Sequence, residues 1–409
     1  VSDSSLFLSK PTKPSIHTRI ALNSSKSESN RALIINALAK NLGTLHNLSE
    51  ARDTRTMLRL LQSTDQTLDV IDAGTTMRFL TAYVAATNQD KIMTGTARMC
   101  ERPIALLVDA LRKLGAHIEY LEKEGFPPIH IKGLTPNGVN EISIRGDVSS
   151  QYISALLMIA PTLPTGLTLE LTGNIGSRPY IEMTLGQMEQ FGIQYTWQGN
   201  RISILPQEYQ ATEYQVESDW SGASYWYSIV ALAPEAEIEL LRLKPNSLQG
   251  DSRIVSITAQ MGVRSEFTEN GVRLTKIPYL VEAEVDFTDC PDLAQTVAVL
   301  CAAKGISLTL TGIESLKIKE TDRIAALQQE LAKFGAKLVE TSSQVYKLSP
   351  ITKFPTNPVT IDTYDDHRMA MAFAPLALLQ DITIRHPEVV VKSYPSYWED
   401  LKKAGFVVK

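Results

Sequence analysis

The sequence predicts an α/β protein of two domains, each built from three copies of one repeat. At 409 residues the chain exceeds one ordinary hydrophobic core. Six segments share a small polar or acidic opening followed by an Ala/Leu/Met-rich run with no charged face. Apart from the first, closer pair they recur roughly every 70 residues. Between them stand amphipathic helices and short alternating runs such as IHIKG, EISIRG, LTLELTG, RISILP and ISLTLTG, which read as half-buried strands.

The first apolar helix, SSKSESNRALIINALA from Ser24, offers Ser25 as N-cap and Glu28 three residues on, a capping box. DAGTTMRFLTAYVAA follows from Asp72 and DVSSQYISALLMIAP from Asp147. The second three are SDWSGASYWYSIVALAP from Ser218, DCPDLAQTVAVLCAA from Asp289 and YDDHRMAMAFAPLALL from Tyr364. A helix that is apolar nearly all round is buried nearly all round. The amphipathic helices end at Gly115, Gly192, Gly262, Gly335 and Gly405, where a left-handed residue closes a helix; the first unit, ending LRLLQSTDQTLDV, has no such glycine. Residues 1–24 precede the first unit and are expected to add a strand that closes the C-terminal domain. The expected domains are therefore 1–24 plus 223–409, and an inserted domain of 25–222.

Hydrophobic residues at 44% and charged residues at 21% describe a soluble globular protein. A net charge of −5 argues against a nucleic-acid surface, so any anion site must be a local cluster of cations. Cys100, Cys290 and Cys301 read as reduced thiols, and the scattered histidines give no metal-ligand spacing. No metal and no cofactor are expected. The longest apolar runs, such as Ile153–Ala160 and Met369–Leu379, fall short of the ~20 residues that span a bilayer. The expectation is a cytoplasmic monomer with no membrane partner.

Cations stand where helices begin. Lys26 and Arg31 flank the first helix start, where the macrodipole disfavours positive charge by about 0.3–1 kcal/mol unless an anion arrives. The amphipathic helices open near Glu101, Ser177, Gly250, Lys319 and Ser393, among Arg98, Arg102, Arg178, Arg253, Arg323 and Lys392; Arg78 and Arg368 open apolar ones. Taken singly, each is a solvated or paired cation: KETDR can pair within itself, DDHR can be an Asp–Arg pair, and Ser149–Ser150 and Thr75–Thr76 can be caps. Their placement at equivalent points of a repeat suggests helix starts gathered around a small ligand with several negative charges.

Lys-Ser-x-Ser-Asn-Arg-Ala-Leu at 26–33, Ala-Gly-Thr-Thr-Met-Arg at 73–78, Ser-Ser-Gln at 149–151, Lys-Glu-Thr-Asp-Arg at 319–323 and Asp-His-Arg-Met-Ala at 366–370 resemble the 5-enolpyruvylshikimate-3-phosphate synthase family. The resemblance runs from about residue 7 to the C-terminus. It implies a two-domain inside-out α/β barrel of six βαβαββ repeats with the active site in the interdomain cleft. The implied reaction moves the enolpyruvyl group of phosphoenolpyruvate to the 5-hydroxyl of shikimate 3-phosphate by addition and elimination, releasing phosphate. This step belongs to chorismate and aromatic amino acid biosynthesis.

Carried over by motif, Lys26, Ser27, Arg31, Ser149, Ser150, Gln151, Ser177, Tyr180, Asp292, Ser315 and Lys319 would contact shikimate 3-phosphate. Phosphoenolpyruvate would be gripped by Lys26, Gly74, Arg98, Gln151, Arg323, Arg368 and Lys392. Asp292 is the expected base for the 5-hydroxyl, and Lys26 and Glu320 are the candidates for proton transfer to and from carbon. His367 is read as positioning its neighbours. Asp72 replaces the usual Asn before Ala-Gly-Thr, Phe79 a frequent proline, Cys100 a usually basic residue and Ser315 a longer Asn; these bear on affinity and inhibitor sensitivity. Two alternatives are the sister enzyme that acts on UDP-N-acetylglucosamine, which would use a reactive cysteine near Cys100, and a non-catalytic sugar-phosphate binding module.

Overall fold

In the computed structural model, which describes residues 4–409, the chain divides into two compact units. One, discontinuous, joins the residues up to Ser25 with Glu217–Lys409; the other, continuous, is Lys26–Val216. The leading segment forms two strands, β1 (Ser5–Ser9) and β2 (Ser15–Ile20), where the sequence suggested one.

The continuous unit begins with α1 (Lys26–Leu38), β3 (Thr44–His46) and α2 (Arg52–Leu61). A complete repeat follows: β4 (Thr67–Asp69), α3 (Gly74–Ala86), β5 (Asp90–Thr94), α4 (Ala97–Cys100), α5 (Ala105–Lys113) and the hairpin of β6 (Ala116–Tyr120) and β7 (Ile129–Leu134). β4 and β5 are parallel, β7 is antiparallel to β5 and β6, and the order is β4-β5-β7-β6. The pattern recurs in β8 (Glu141–Arg145), α6 (Ser150–Ile159), β9 (Leu167–Thr172), α7 (Arg178–Gln190), β10 (Thr196–Gln198) and β11 (Arg201–Ile204). β12 (Glu213–Gln215) then pairs in parallel with β3. That remaining repeat has two strands and no hairpin, which corrects the expectation of six full βαβαββ copies. Only residues 62–66 separate α2 from β4, too few to form two further strands before β4 starts the next sheet.

In the discontinuous unit, α8 (Trp220–Leu232), β13 (Glu235–Leu241), α9 (Ile254–Ala259), β14 (Val263–Thr268) and β15 (Gly271–Lys276) make one repeat, with β2 as its first strand, parallel to β13. β16 (Glu282–Asp286), α10 (Ala294–Lys304), β17 (Ser307–Thr311), α11 (Arg323–Ala332), β18 (Lys337–Ser342) and β19 (Val345–Ser349) make the next. The last is β20 (Val359–Ile361), α12 (His367–Phe373), β21 (Ile382–Arg385), α13 (Tyr397–Lys403) and β22 (Val407–Val408), completed by β1 in the order β20-β21-β1-β22. The leading segment thus supplies one strand to each of two sheets.

The chain's two crossings lie side by side, since Ser24 bridges Ser218 and the Ser25 N–H donates to the Glu217 carbonyl at 2.8 Å. The second crossing falls at Glu217 instead of 223. Asp219 caps α8 by accepting from the Gly222 N–H at 2.8 Å, so the first turn of that helix cannot be divided from the rest.

The apolar helices are the centre of each unit. α8, α10 and α12 pack together around Trp226, Val297, Leu300, Met369 and Phe373; α3 and α6 pack around Met77, Leu80, Ile153 and Leu157. Strands outside them alternate, as in β8 and β11, where every second residue is buried. Helices are therefore inside and half-exposed sheets outside. Each such buried side chain contributes roughly 1.5–3 kcal/mol of transfer free energy, which holds the helix starts in fixed positions. Among the described residues no helix is long and apolar enough to cross a membrane.

Candidate active site

The discontinuous unit gathers the charged openings of three elements. Asp322 caps α11 through the Ala325 N–H at 3.0 Å, and Asp366 caps α12 through the Arg368 N–H at 2.9 Å. Tyr364 and Asp365, both left-handed at φ 53° and 56°, turn the chain into that cap, a conformation costly for non-glycine residues. These caps place Arg323 and Arg368 on one carboxylate: Arg323 Nη1 lies 2.9 Å from Asp292 Oδ1, and Arg368 Nη2 lies 3.1 Å from Oδ2. Lys319 stands 3.8 Å from the same Oδ1. Arg323 also donates to Asp366 Oδ2 at 2.6 Å and Glu320 Oε2 at 2.7 Å, while Lys392 reaches Glu320 Oε1 at 3.2 Å. Arg368 Nη1 donates to the Tyr225 hydroxyl oxygen at 3.4 Å.

Four basic and three acidic side chains thus share one buried network. Burial pushes the Asp292 carboxyl up, but the charges of Arg368, Lys319 and Arg323 outweigh it and hold the group well below the usual carboxylate range. Burial works against the Arg323 charge, and Asp366, Glu320 and Asp292 more than restore it, so its pKa is raised. For Lys319 the Asp292 charge supports the ammonium, yet burial and Arg323 leave the pKa lowered. A carboxylate held this way is a poor base until an anion takes over its cations. Asp292, Lys319, Glu320, Arg323, Arg368 and Lys392 are therefore brought together, whereas Ser315 is exposed in the turn Glu314–Ile318 and joins no member of the network.

The continuous unit has its own polar cluster. Lys26 Nζ lies 3.0 Å from Asp53 Oδ2, with the Asp53 side chain 4% exposed. The cation that sequence alone left without an anion is answered from α2. Arg31 is almost wholly buried: Nε donates to Thr184 Oγ1 at 2.7 Å, Nη2 to Ser154 Oγ at 3.2 Å and Nη1 to the Ser27 carbonyl at 2.9 Å. Its guanidinium lies over Phe79 and Tyr180 at 5.3 and 5.7 Å from the ring centroids. Burial lowers its pKa to about 10, opposed by Tyr180 and Glu28. Glu28 is buried as well, with Oε1 accepting from the Tyr214 hydroxyl at 2.5 Å.

Ser149 caps α6 by accepting from the Gln151 N–H, Ser150 is buried behind it, and Gln151 Nε2 donates to Thr75 Oγ1 at 3.0 Å. Ser177, at the start of α7, holds a left-handed φ of 51°, and Tyr180 follows on its first turn. Gly74 opens α3, and a Cβ there would come within 2.6 Å of Arg102 Nη1. Arg98 pairs with Glu101 at 3.1 Å on a half-exposed face, and Arg178 with Glu182 at 2.8 Å. Arg78 braces the backbone, donating to the Gly74 carbonyl at 3.0 Å and the Pro103 carbonyl at 3.2 Å.

Known proteins bear on this geometry. The family model described as EPSP synthase (3-phosphoshikimate 1-carboxyvinyltransferase) matches residues 11–69 and 62–401. The chain belongs to the EPSP synthase family. A Bacteroides fragilis 3-phosphoshikimate 1-carboxyvinyltransferase is 51% identical over 407 residues, covering 98% of each chain. The Neisseria meningitidis serogroup B protein of the same name is 38% identical, covering 93% of this chain and 94% of its own. The fold is similar to that of the Acinetobacter baumannii EPSP synthase structure, with a TM-score of 0.80 at 21% identity over 99% of this chain and 100% of that one.

For this member of the EPSP synthase family, sequence reasoning missed Asp53 and Tyr225. Asp53 and Tyr225 lie inside ordinary helical runs and gain meaning only through the cation from another element that each one meets. Asp366 carried a signal, its position before His-Arg, but its pairing with Arg323 did not.

Proposed function

We infer that this chain transfers the enolpyruvyl group of phosphoenolpyruvate to the 5-hydroxyl of shikimate 3-phosphate. A bond forms between the 5-oxygen and C2 of phosphoenolpyruvate while C3 gains a proton. The tetrahedral adduct then loses that proton and phosphate to restore the double bond. One observation carries the reading: the Arg323 and Arg368 guanidinium groups converge on the Asp292 carboxylate from two helix starts. They are poised to exchange that carboxylate for the carboxylate and phosphate of a substrate.

Arg323, Arg368 and Lys392, with Lys26, Gly74, Arg98 and Gln151, hold phosphoenolpyruvate. Charge-assisted hydrogen bonds of this type each contribute about 1.5–3 kcal/mol. As those cations turn to the substrate, Asp292 loses the charges that suppress it and its carboxyl moves back toward a range where it accepts the 5-hydroxyl proton. Glu320, between Arg323 and Lys392, and Lys26 exchange the proton with C3. Lys26, Ser27, Ser149, Ser150, Gln151, Ser177, Tyr180 and Lys319 hold shikimate 3-phosphate, with Arg31 fixing Ser27 and Tyr180 in place. The same cations stabilise charge on the adduct and on departing phosphate. The protein acts as a cytoplasmic monomer.

A phosphate-release assay tests this. Release equal to the phosphoenolpyruvate consumed, with shikimate 3-phosphate and not with UDP-N-acetylglucosamine, is the expected result. Turnover with the nucleotide sugar alone would replace the reading with the sister activity; binding without release would replace it with a binding module. Cys100, whose Sγ donates to the Gly95 carbonyl at 3.7 Å, is outside the chemistry, so Cys100→Ser retains full turnover.

A further inference from the structure

Two turns along α11 from Arg323, on the same helix face, a second polar contact reaches the segment ahead of α12. Glu330 is wholly buried there. Its Oε1 accepts from the Tyr364 hydroxyl at 2.7 Å, and its Oε2 accepts from the Asp362 N–H at 3.1 Å. Gln329 Oε1 stands 2.9 Å from the same tyrosine oxygen. Lys333, just past the end of α11, lies 2.6 Å from Glu330 Oε2 and also reaches the Thr360 carbonyl at 2.9 Å and Asp362 Oδ2 at 2.8 Å. α11 therefore grips residues 360–366 at both ends: Arg323 through Asp366, and Glu330 with Lys333 through Thr360, Asp362 and Tyr364.

Between the two grips the chain is strained. Tyr364 and Asp365 are consecutive left-handed residues, and a residue with a Cβ relaxes out of that region unless its surroundings hold it. Burial, and then the Glu330 contact, raise the pKa of the Tyr364 hydroxyl, so it stays a donor. The turn leads straight into Asp366, whose Oδ1 accepts from the Arg368 N–H at 2.9 Å and whose Oδ2 accepts from Arg323 Nε at 2.6 Å. Any opening of the turn thus displaces the one carboxylate that fixes both arginines.

We propose that Tyr364 is a positioning residue for phosphoenolpyruvate: anchored by Glu330, its hydroxyl keeps the left-handed turn closed, and the closed turn holds Asp366 where Arg323 and Arg368 converge. It rests on the reading that those arginines hold phosphoenolpyruvate. Without the hydroxyl the turn opens in a fraction of the free molecules, and apparent affinity falls as the binding-competent fraction falls. Bound phosphoenolpyruvate closes the turn again, so the chemical step is unaffected once the enzyme is saturated.

The test is steady-state kinetics with thermal melting of Tyr364→Phe, which keeps the ring and removes one oxygen. The KM for phosphoenolpyruvate is expected to rise about tenfold, the factor equivalent to one hydrogen bond to a charged acceptor. The kcat and the KM for shikimate 3-phosphate are expected to keep their parent values, because Asp292 and Lys319 lie outside the turn. Melting shows that the variant is folded, and a double-variant cycle with Arg368→Gln separates positioning from plain stabilisation. If Tyr364 acts through the arginines, Tyr364→Phe raises the KM less in the Arg368→Gln background than in the parent. Full additivity overturns the proposal, as does an equal rise in both KM values or a fall in kcat at unchanged KM. If Arg368→Gln raises the KM for phosphoenolpyruvate and Tyr364→Phe does not, the Tyr364 proposal alone fails. If Arg368→Gln leaves that KM unchanged, the reading of Arg368 fails and the proposal with it.

Discussion

Arg323 Nε and Asp366 Oδ2 lie 2.6 Å apart with side chains 2% and 0% exposed, tying the start of α11 to the cap of α12. One carboxylate thus caps a helix and holds the guanidinium that reaches Asp292. Removing it leaves a buried charge without its closest partner, a loss of about 3–5 kcal/mol. Asp366→Ala is expected to lower the unfolding free energy obtained from urea titration by that amount, and the midpoint with it. An unchanged midpoint would mean that Glu320 and Asp292 suffice for Arg323.

Asp292 has opposite effects on chemistry and on anion affinity. Asp292→Ala is expected to lower kcat by about 10²–10⁴, the usual contribution of a general base, and to keep shikimate 3-phosphate binding within about an order of magnitude. Because Arg323 and Arg368 lose their internal anion, inorganic phosphate is expected to inhibit the variant more strongly than the parent. Steady-state kinetics with added phosphate measures both effects. Near-normal turnover would remove Asp292 from the proton transfer.

Gly74 separates binding from stability. A Cβ there meets only the far end of the Arg102 side chain, which can swing away, and Gly74 holds no left-handed φ that alanine would strain. Gly74→Ala is therefore expected to leave thermal stability equal or slightly higher, while raising the KM for phosphoenolpyruvate about tenfold, roughly 1.4 kcal/mol. Parallel melting and kinetic measurements check the split; a fall in both would make Gly74 a packing residue.

Two buried carboxyls bend the stability profile in opposite directions. Asp292, depressed in the fold, contributes stability that is present above the ordinary carboxylate range and is lost as pH falls through its folded value. Asp251, which burial pushes up to about 7, binds a proton that the unfolded chain has already released, so stability falls as pH rises from about 4 to about 7 and stays lower above. Asp251→Asn is expected to be more stable than the parent at pH ~8 and close to it at pH ~4. Urea titrations at the two values measure the difference, and a constant offset would contradict it.

The sequence by itself determined the repeats, the buried helices and the sign of the site. Those features are local: an apolar run of helical length, a closing glycine and an arginine beside a helix start are each written within a few consecutive residues. Tertiary structure alone decided that the repeat holding α1 and α2 has no hairpin, that the leading segment feeds two sheets, and that the cations already have anions. Lys26 meets Asp53 from another helix, Arg323 meets Asp366 from another repeat, and Arg368 meets Asp292. Such pairs join residues far apart in the chain, and no periodicity encodes them. They exist because packing apolar helices against one another brings their polar first turns within a few ångströms, where charge must be matched.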